Sequence, residues 1–209
     1  MSTVTTVSLS QRLGVPSNRI RLSPAPGTAT IEDVIHIQDH EGVSCELIDG
    51  TLVEKTVGLL ESGLGMFLGR LLAEFVDTHN LGLVTGEAGT FELMPHLVRI
   101  PDVAFTSWDR FPGRCYPTAP VPAIAPNLAV EVLSHSNTPR EMALKRRDYF
   151  AAGVELVWEV DPSNRTVVVY TSPAAMRTLT VADTLDGAPV LPGFAVGVGV
   201  VFAQLDRHG

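Results

Sequence analysis

Cysteine is nearly absent from this chain. Cys45 and Cys115 are the only two cysteines among 209 residues. Two cysteines exclude the disulfide framework of small secreted domains, and they exclude a zinc site built from a cysteine cluster. The chemistry of the protein must therefore be carried by other side chains, and a reducing, cytoplasmic compartment is the simplest expectation for its location.

Positive charge and long apolar runs are also scarce. Lys and Arg number 15 against 23 Asp and Glu, so the net charge is −8 and no overall basic field attracts nucleic acid or acidic membrane. A polyanionic partner would have to be bound by a local patch. The longest uncharged stretch, residues 187–205, contains Pro189, Pro192 and several glycines, so it predicts no transmembrane helix.

The chain does have enough apolar sequence for one domain. Apolar residues make up 45% of it, which suits one core rather than two, and we assign a single domain to residues 29–209. Residues 1–28 contain arginine but no acid and are rich in Ser, Thr and Pro, which predicts a flexible N-terminal extension. An organelle transit peptide shares that composition, but this segment lacks a clear apolar helical face.

Residue periodicity indicates helices and strands along the domain. Thr30 is expected to cap a short helix, the run CELIDGTLVEK predicts a hairpin around Asp49-Gly50, and apolar residues at helical spacing predict a long core helix over 58–79. Short β-like runs between 81 and 107 predict a meander, and the five prolines of residues 112–126 predict a surface loop. A strand over 128–133, a helix over 139–152 and two further strands follow. This order predicts an α/β or α+β fold with a central mixed sheet flanked by helices.

Glu131 is the most unusual residue in this pattern. It lies inside LAVEVL, a run that otherwise predicts a buried strand, and burying a carboxylate is costly unless a partner compensates its charge. Asp102 begins another strand earlier in the chain, and Lys145 lies on the helix that follows Glu131. If the two strands are neighbours, their carboxylates converge on one divalent cation, and Mg²⁺ or Mn²⁺ suits oxygen ligands better than Zn²⁺ does.

Several segments resemble one known family, in the same order. They are ELIDGTLVEK, VRIPDVAFTSWDRFP, APNLAVEVLSHSNTPREMALKRRDYFAAGVELVWEVDP, VVVYTS and DTLDGAPVLPGF. Over about residues 30–203 the chain is similar to the Uma-two family of restriction endonuclease-like proteins, which belongs to the PD-(D/E)XK nuclease superfamily. The combination of PD, EVLS and the K…Y…AGV…W…DP pattern is specific for this family, whereas none of these pieces is specific by itself.

The resemblance implies a restriction-endonuclease-like sheet and a set of site residues. Asp102 and Glu131 would bind the metal ion, with Val132 as a further ligand position. The superfamily pattern expects a lysine two residues after the acid, where this chain has Leu133. Lys145 matches the lysine that the family carries on the next helix, so the resemblance implies a catalytic role for it there.

The resemblance also implies an acid from the N-terminal part of the domain. Glu46 in CELIDG matches that position, and Glu87 in TGEAGT is a weaker candidate. Acids of hairpins are commonly just exposed, so a merely structural Glu46 remains an alternative.

The other site residues have structural alternatives as well. Asp102 could cap the turn after the preceding proline, and Glu131 could pair with an arginine. Lys145 could be a solvated helix residue supported by Glu141 one turn earlier.

Three arginines surround the candidate lysine. Arg140, Arg146 and Arg147 give the segment from 138 to 150 four basic against two acidic residues in an otherwise acidic chain. They predict either an ordinary charged helix face or a small patch that binds phosphates of nucleic acid beside the metal.

These observations predict a metal-dependent endonuclease that hydrolyses phosphodiester bonds of nucleic acid, with DNA favoured, and with Mg²⁺ or Mn²⁺ as cofactor. A homodimer is expected because one such site cuts one strand and duplex cleavage needs two. One alternative is a non-catalytic dimeric module that binds nucleic acid or another partner and retains the fold. Another is a hydrolase of a small phosphorylated molecule. The sequence identifies no base-reading element and does not separate DNA from RNA.

Overall fold

The computed structural model describes residues 6–207, which form an α/β domain with five helices and twelve strands. The helices are α1 (Thr6–Leu13), α2 (Ile31–Glu41), α3 (Leu59–Thr78), α4 (Pro139–Ala151) and α5 (Val198–Phe202). The strands are β1 (Cys45–Ile48), β2 (Thr51–Glu54), β3 (Gly82–Thr85), β4 (Phe91–Met94), β5 (Leu97–Arg99), β6 (Val103–Ser107), β7 (Leu128–Val132), β8 (Leu156–Asp161), β9 (Thr166–Tyr170), β10 (Met176–Leu179), β11 (Thr184–Gly187) and β12 (Leu191–Gly197). None of the helices in this described part is long and apolar enough to cross a membrane.

A six-stranded mixed sheet is the centre of the domain. Its order is β10-β9-β8-β7-β6-β3, in which β7 and β8 are parallel and the other neighbours are antiparallel. Because β7 and β8 are parallel, the chain crosses between them through α4. The predicted mixed sheet with flanking helices is therefore confirmed.

The two long helices cover opposite faces of this sheet. Helix α3 buries Leu64, Leu68 and Leu72 in a cluster that includes Val130 and Trp158 of the sheet. Helix α4 contributes Tyr149 to a second cluster, which contains Ala104, Ala129 and Val157. Successive residues of a strand point to opposite faces, so Ala129 and Glu131 share the α4 face while Val130 faces α3. The strand therefore directs the Glu131 side chain toward α4.

The short β-like runs between 81 and 107 are divided between two sheets. β3 pairs with β6 in the central sheet, whereas β4 and β5 form a hairpin that joins β1 in a separate four-stranded sheet of order β2-β1-β5-β4. The predicted meander is therefore wrong, because runs that are adjacent in the sequence pair with different partners. This division places β1 and β5 beside the start of β6.

Residues 6–28 pack against the domain, in contrast to the flexible extension predicted for 1–28. Leu9 and Leu13 of α1 are buried in the core, and the Arg19 guanidinium lies 2.9 Å from the carboxylate of Glu141 on α4. Gly14 has a φ of +70°, and a β-carbon there would lie 2.7 Å from the Glu141 amide nitrogen. The composition argument failed because a few buried leucines and one buried ion pair suffice to dock a polar segment. Residues 1–5 lie outside the described residues.

Candidate active site

Asp102 and Glu131 lie side by side where the start of β6 meets the end of β7, two neighbouring inner strands of the central sheet. Asp102 immediately precedes β6, and Val103 of β6 is paired with Val130 of β7. The Asp102 amide donates to the carbonyl of Val130 at 3.0 Å, and the Val132 amide donates to Oδ2 of Asp102 at 2.6 Å. The condition that the two strands are neighbours, on which the shared cation depends, is therefore met.

Glu131 is paired with Lys145. The Lys145 ammonium lies 3.1 Å from Oε1 and 3.0 Å from Oε2 of Glu131, and the Tyr149 hydroxyl donates to Oε1 at 2.5 Å. Lys145 and Tyr149 are one helical turn apart on α4, so both point to the sheet. Only 3% of Lys145 is exposed, so its interpretation as a solvated helix residue is wrong. The alternative in which Glu131 pairs with an arginine is also wrong, because its partners are Lys145 and Tyr149.

Glu46 continues this network on the other side of Lys145. Oε1 of Glu46 lies 3.1 Å from the Lys145 ammonium, and Oε2 lies 2.7 Å from the guanidinium of Arg99 on β5. Arg99 also contacts Asp148 of α4 at 2.5 Å. Glu46 is 1% exposed, so the alternative of an exposed hairpin acid is wrong. The hairpin β1–β2 and helix α4 are thus joined through buried charges.

Lys55 is a site residue that the sequence reasoning missed. Its ammonium lies 2.9 Å from Oδ1 of Asp102 and donates to the carbonyl of Ile100 at 2.7 Å. Lys55 and Lys145 are the only lysines of the chain, which otherwise uses arginine. The scarcity of lysine was the available signal, because both copies lie beside the two candidate metal ligands.

The charges of this cluster are unevenly shared. The carboxylates of Asp102, Glu131, Glu46 and Asp148 face the cations of Lys55, Lys145, Arg99 and the largely exposed Arg147, and Glu131 shares its one cation, Lys145, with Glu46. Burial raises the pKa of Glu131, and the charge of nearby Asp102 adds to this effect against the opposing charge of Lys145. Glu131 is therefore the least compensated of the four carboxylates, and a positive ion beside it would be stabilised.

Neighbouring charges keep both Glu46 and Lys145 ionised despite their burial. Burial opposes the ionisation of Glu46, but Lys145 and Arg99 overcome it and lower its pKa to about 2. Burial also opposes the charge of Lys145, but Glu131 and Glu46 raise its pKa above the ordinary value. Lys145 is therefore an ammonium at neutral pH, which makes it a hydrogen-bond donor and not a general base.

Residues 31–199 match the model of the Uma2 family, which is described as "Putative restriction endonuclease". The chain belongs to the Uma2 family. A crystal structure described as a "putative nuclease belonging to DUF820 from Anabaena variabilis ATCC 29413" has a similar fold, with a TM-score of 0.69 and 17% sequence identity. The match covers 78% of this chain and 91% of that one. No curated protein matches the chain. The family and the shared fold indicate a restriction-endonuclease-like nuclease.

The acids of this Uma2 protein suit a small hard cation. Among residues 6–207 no group of three or more His, Cys, Asp and Glu side chains is arranged to hold a metal ion, so a metal would rest on two carboxylates and main-chain oxygen. An ionised carboxylate has about four acceptor positions. Asp102 uses two of them and Glu131 three, which leaves both able to accept a cation. A pocket of about 20 Å³, lined by both acids and Val132, has room for one small ion or water.

The three arginines around Lys145 do not form one patch. Arg146 contacts Glu159 and lies over the ring of Tyr170. Arg147 contacts Asp148, and its side chain is 65% exposed. Arg140 is exposed and donates to the carbonyl of residue 12 at 3.4 Å. Arg140 and Arg147 are thus available to solvent, whereas Arg146 lines a separate pocket.

Glu87, the weaker candidate acid, follows β3 and is exposed. It lines a cleft between α3 and β3 to which Asp102 also contributes. Glu87 makes none of the buried ion pairs of the site, and Glu46 is the acid that contacts Lys145. Glu46 is therefore the better of the two candidates.

Proposed function

We propose that this Uma2 protein is a metal-dependent endonuclease that hydrolyses phosphodiester bonds of DNA. The observation that supports the proposal is the pair of buried carboxylates, Asp102 and Glu131, each beside a lysine, with Glu131 sharing its lysine with Glu46. Carboxylate oxygens together with ammonium donors at the ends of two neighbouring strands suit a cation and the phosphate that follows it.

In this proposal Asp102 and Glu131 hold Mg²⁺ or Mn²⁺, with the main-chain oxygen of Val132 as a further ligand. The bound ion would polarise a phosphoryl oxygen and make its water more acidic. The Val132 amide holds one oxygen of Asp102, so β7 fixes the orientation of that carboxylate. Because both acids are held by neighbouring strands, their oxygens need little rearrangement to bind the ion.

The two lysines act on the substrate in different ways. Lys145, which stays protonated between Glu131 and Glu46, orients the attacking water by donating to it and stabilises negative charge on the phosphoryl oxygens. Glu46 positions the Lys145 ammonium and does not touch the substrate. Lys55 neutralises Asp102 and contacts a phosphate oxygen of the bound strand.

The proposal includes a homodimer in a cytoplasmic compartment. One cluster of this kind cleaves one strand, so a symmetric pair of chains brings two sites to a duplex. Light scattering at tens of micromolar, about the usual range for weak dimers, is expected to give twice the monomer mass. A monomeric mass at that concentration would contradict the dimer but leave single-strand cleavage intact.

A second function is supported by one observation. Each candidate ligand is already paired with a lysine, as it would be in a non-catalytic module that binds nucleic acid through the same fold. In such a module the lysines would replace the metal permanently, and Mn²⁺ would not bind.

Calorimetric titration with Mn²⁺ followed by incubation with plasmid, single-stranded DNA and RNA separates these functions. We expect Mn²⁺ to bind and the plasmid to be nicked or linearised, and Asp102→Ala to lose both. Asp109→Ala is the matched control, because Asp109 is an acid whose side chain is 81% exposed and lies outside the cluster. Failure of the wild-type chain to bind Mn²⁺ would overturn the proposal, and cleavage of a small phosphodiester but no nucleic acid would point to a small-molecule hydrolase.

A further inference from the structure

A second pocket opens beside the candidate active site, at the ends of β7 and β8. It is lined by residues that include Ser134, Asn137, Arg146, Glu159, Asp161 and Tyr170, and its volume is about 510 Å³. We name it the Arg146 pocket. Ser134 and Asn137 also line the small pocket around Asp102 and Glu131. The two pockets therefore share a wall, so a ligand that binds at the metal ligands can extend into the Arg146 pocket.

Arg146 is held in a fixed position in this pocket. Its guanidinium lies over the ring of Tyr170, with 4.5 Å between the guanidinium carbon and the ring centroid, and it forms an ion pair with Glu159. The buried Nε of Arg146 has no hydrogen-bond partner among the described residues. A planar cation supported by an aromatic ring is a surface on which nucleic-acid bases stack.

The charge of the Arg146 pocket argues against a phosphate group. The carboxylates of Glu159 and Asp161 outnumber the single guanidinium of Arg146, so the pocket is acidic where a phosphate would need positive charge. Acidic oxygens accept the exocyclic amino groups of bases instead. A volume of about 510 Å³ is in the ordinary range for a pocket that encloses one small ligand.

We infer that the Arg146 pocket binds one unpaired base of the substrate strand, stacked on the Arg146 guanidinium, next to the phosphate at Asp102 and Glu131. This inference rests on the proposed nuclease function and adds a substrate class to it. A base that enters the pocket has left its duplex partner, so the preferred substrate is single-stranded or locally opened nucleic acid.

Binding of short oligonucleotides by fluorescence anisotropy tests the inference, with the full chain in metal-free buffer so that no cleavage occurs. One single-stranded oligonucleotide carries its normal bases, and the other is fully abasic with the same number of phosphates. We expect the wild-type chain to bind the normal oligonucleotide about 10-fold more tightly, since stacking of one base contributes on that order.

Arg146→Lys keeps the charge of Arg146 but removes its planar group, and it is expected to abolish most of that difference between the oligonucleotides. Arg147→Lys is the matched control on the exposed side of α4 and should leave the difference intact. If Arg146→Lys lowers the melting temperature, Tyr170→Leu serves as the second variant, because it removes the supporting ring.

The outcomes distinguish this inference from the proposed function. Equal wild-type binding of the two oligonucleotides, or an Arg146→Lys variant that weakens both equally, overturns the base pocket and leaves the nuclease proposal standing. Binding of neither oligonucleotide by the wild-type chain also overturns the base pocket, whereas the nuclease proposal stands or falls separately on Mn²⁺ binding and plasmid cleavage.

Discussion

Neutralising Glu131 is expected to make the metal-free protein more stable, although it removes an ion pair. Glu131 shares its one cation, Lys145, with Glu46, and burial together with the charge of Asp102 raises the pKa of Glu131. In Glu131→Gln the amide oxygen still accepts from Tyr149, and Lys145 keeps Glu46 as its charged partner. The raised pKa means that the ionised form of Glu131 destabilises the fold, so a neutral amide of the same shape should remove this cost, and a change on the order of 1 kcal/mol is the usual size of a single-site effect.

The matched variant is Asp148→Asn. Asp148 belongs to the same cluster but lies between Arg99 and Arg147, so its charge is compensated. Removing that charge leaves the buried Arg99 with Glu46 alone, and losing one partner of a buried pair typically destabilises by about 3 kcal/mol. The two substitutions each remove one carboxylate from the cluster, yet we expect opposite signs.

Thermal unfolding in metal-free buffer at pH 7 measures both effects. For a chain of this size about 1 kcal/mol corresponds to roughly 2–4 °C, so Glu131→Gln should melt a few degrees higher and Asp148→Asn roughly 6–12 °C lower. A raised carboxyl pKa destabilises the fold as pH rises from the unfolded value of 4.5 through the folded value, so the advantage of Glu131→Gln should disappear below about pH 4.5. Equal losses of melting temperature in the two variants would refute the argument that the charge of Glu131 is incompletely compensated.

Three further predictions concern other parts of the same site. Glu46→Gln should lower the free energy of unfolding by about 3 kcal/mol at pH 7, because the pKa of Glu46 is lowered from 4.5 to about 2 in the fold. Denaturant titrations should show that this difference between the variant and the wild type disappears as the pH falls from 4.5 toward 2. Lys145→Arg should keep Mn²⁺ binding but slow plasmid cleavage about 10²-fold or more, which is the scale of one positioned catalytic group. If this variant cleaves plasmid as fast as the wild-type chain, another group orients the water. Removal of residues 1–28 should lower the melting temperature by at least about 6 °C, because Glu141 loses its buried partner Arg19, and an unchanged melting temperature would show that the segment contributes no stability.

The sequence predicted those parts of the fold that depend on local patterns. Helical spacing of apolar residues predicted α3, and the Asp49-Gly50 turn predicted the β1–β2 hairpin. Thr30 and Asp33 form the expected cap of α2 through reciprocal hydrogen bonds. These features involve residues a few positions apart, so composition and periodicity are sufficient to identify them.

The parts of the site that the sequence did not reveal depend on distant pairs. Arg99 meets Glu46 from 53 residues away and Asp148 from 49 residues away, and no local pattern relates them. Lys55 lies in an unremarkable loop position after β2, and only the tertiary fold brings it to Asp102. Asp102 and Glu131 were identifiable because acids that begin or interrupt apolar strands contradict their surroundings, whereas the role of Lys145 was implied by the family resemblance. Their partners are ordinary charged residues in ordinary positions.

Both lysines of the chain lie in one buried cluster, so their chemical modification reports on that cluster alone. The Lys55 side chain is 6% exposed and that of Lys145 is 4% exposed, while the cations on the surface are arginines, which do not react with acylating reagents for amines. Acylation of these two residues, followed by peptide mapping, therefore measures how often the cluster opens to solvent. If these lysines become better protected from acylation when Mn²⁺ is added, the assay reports metal binding without a label or a substrate.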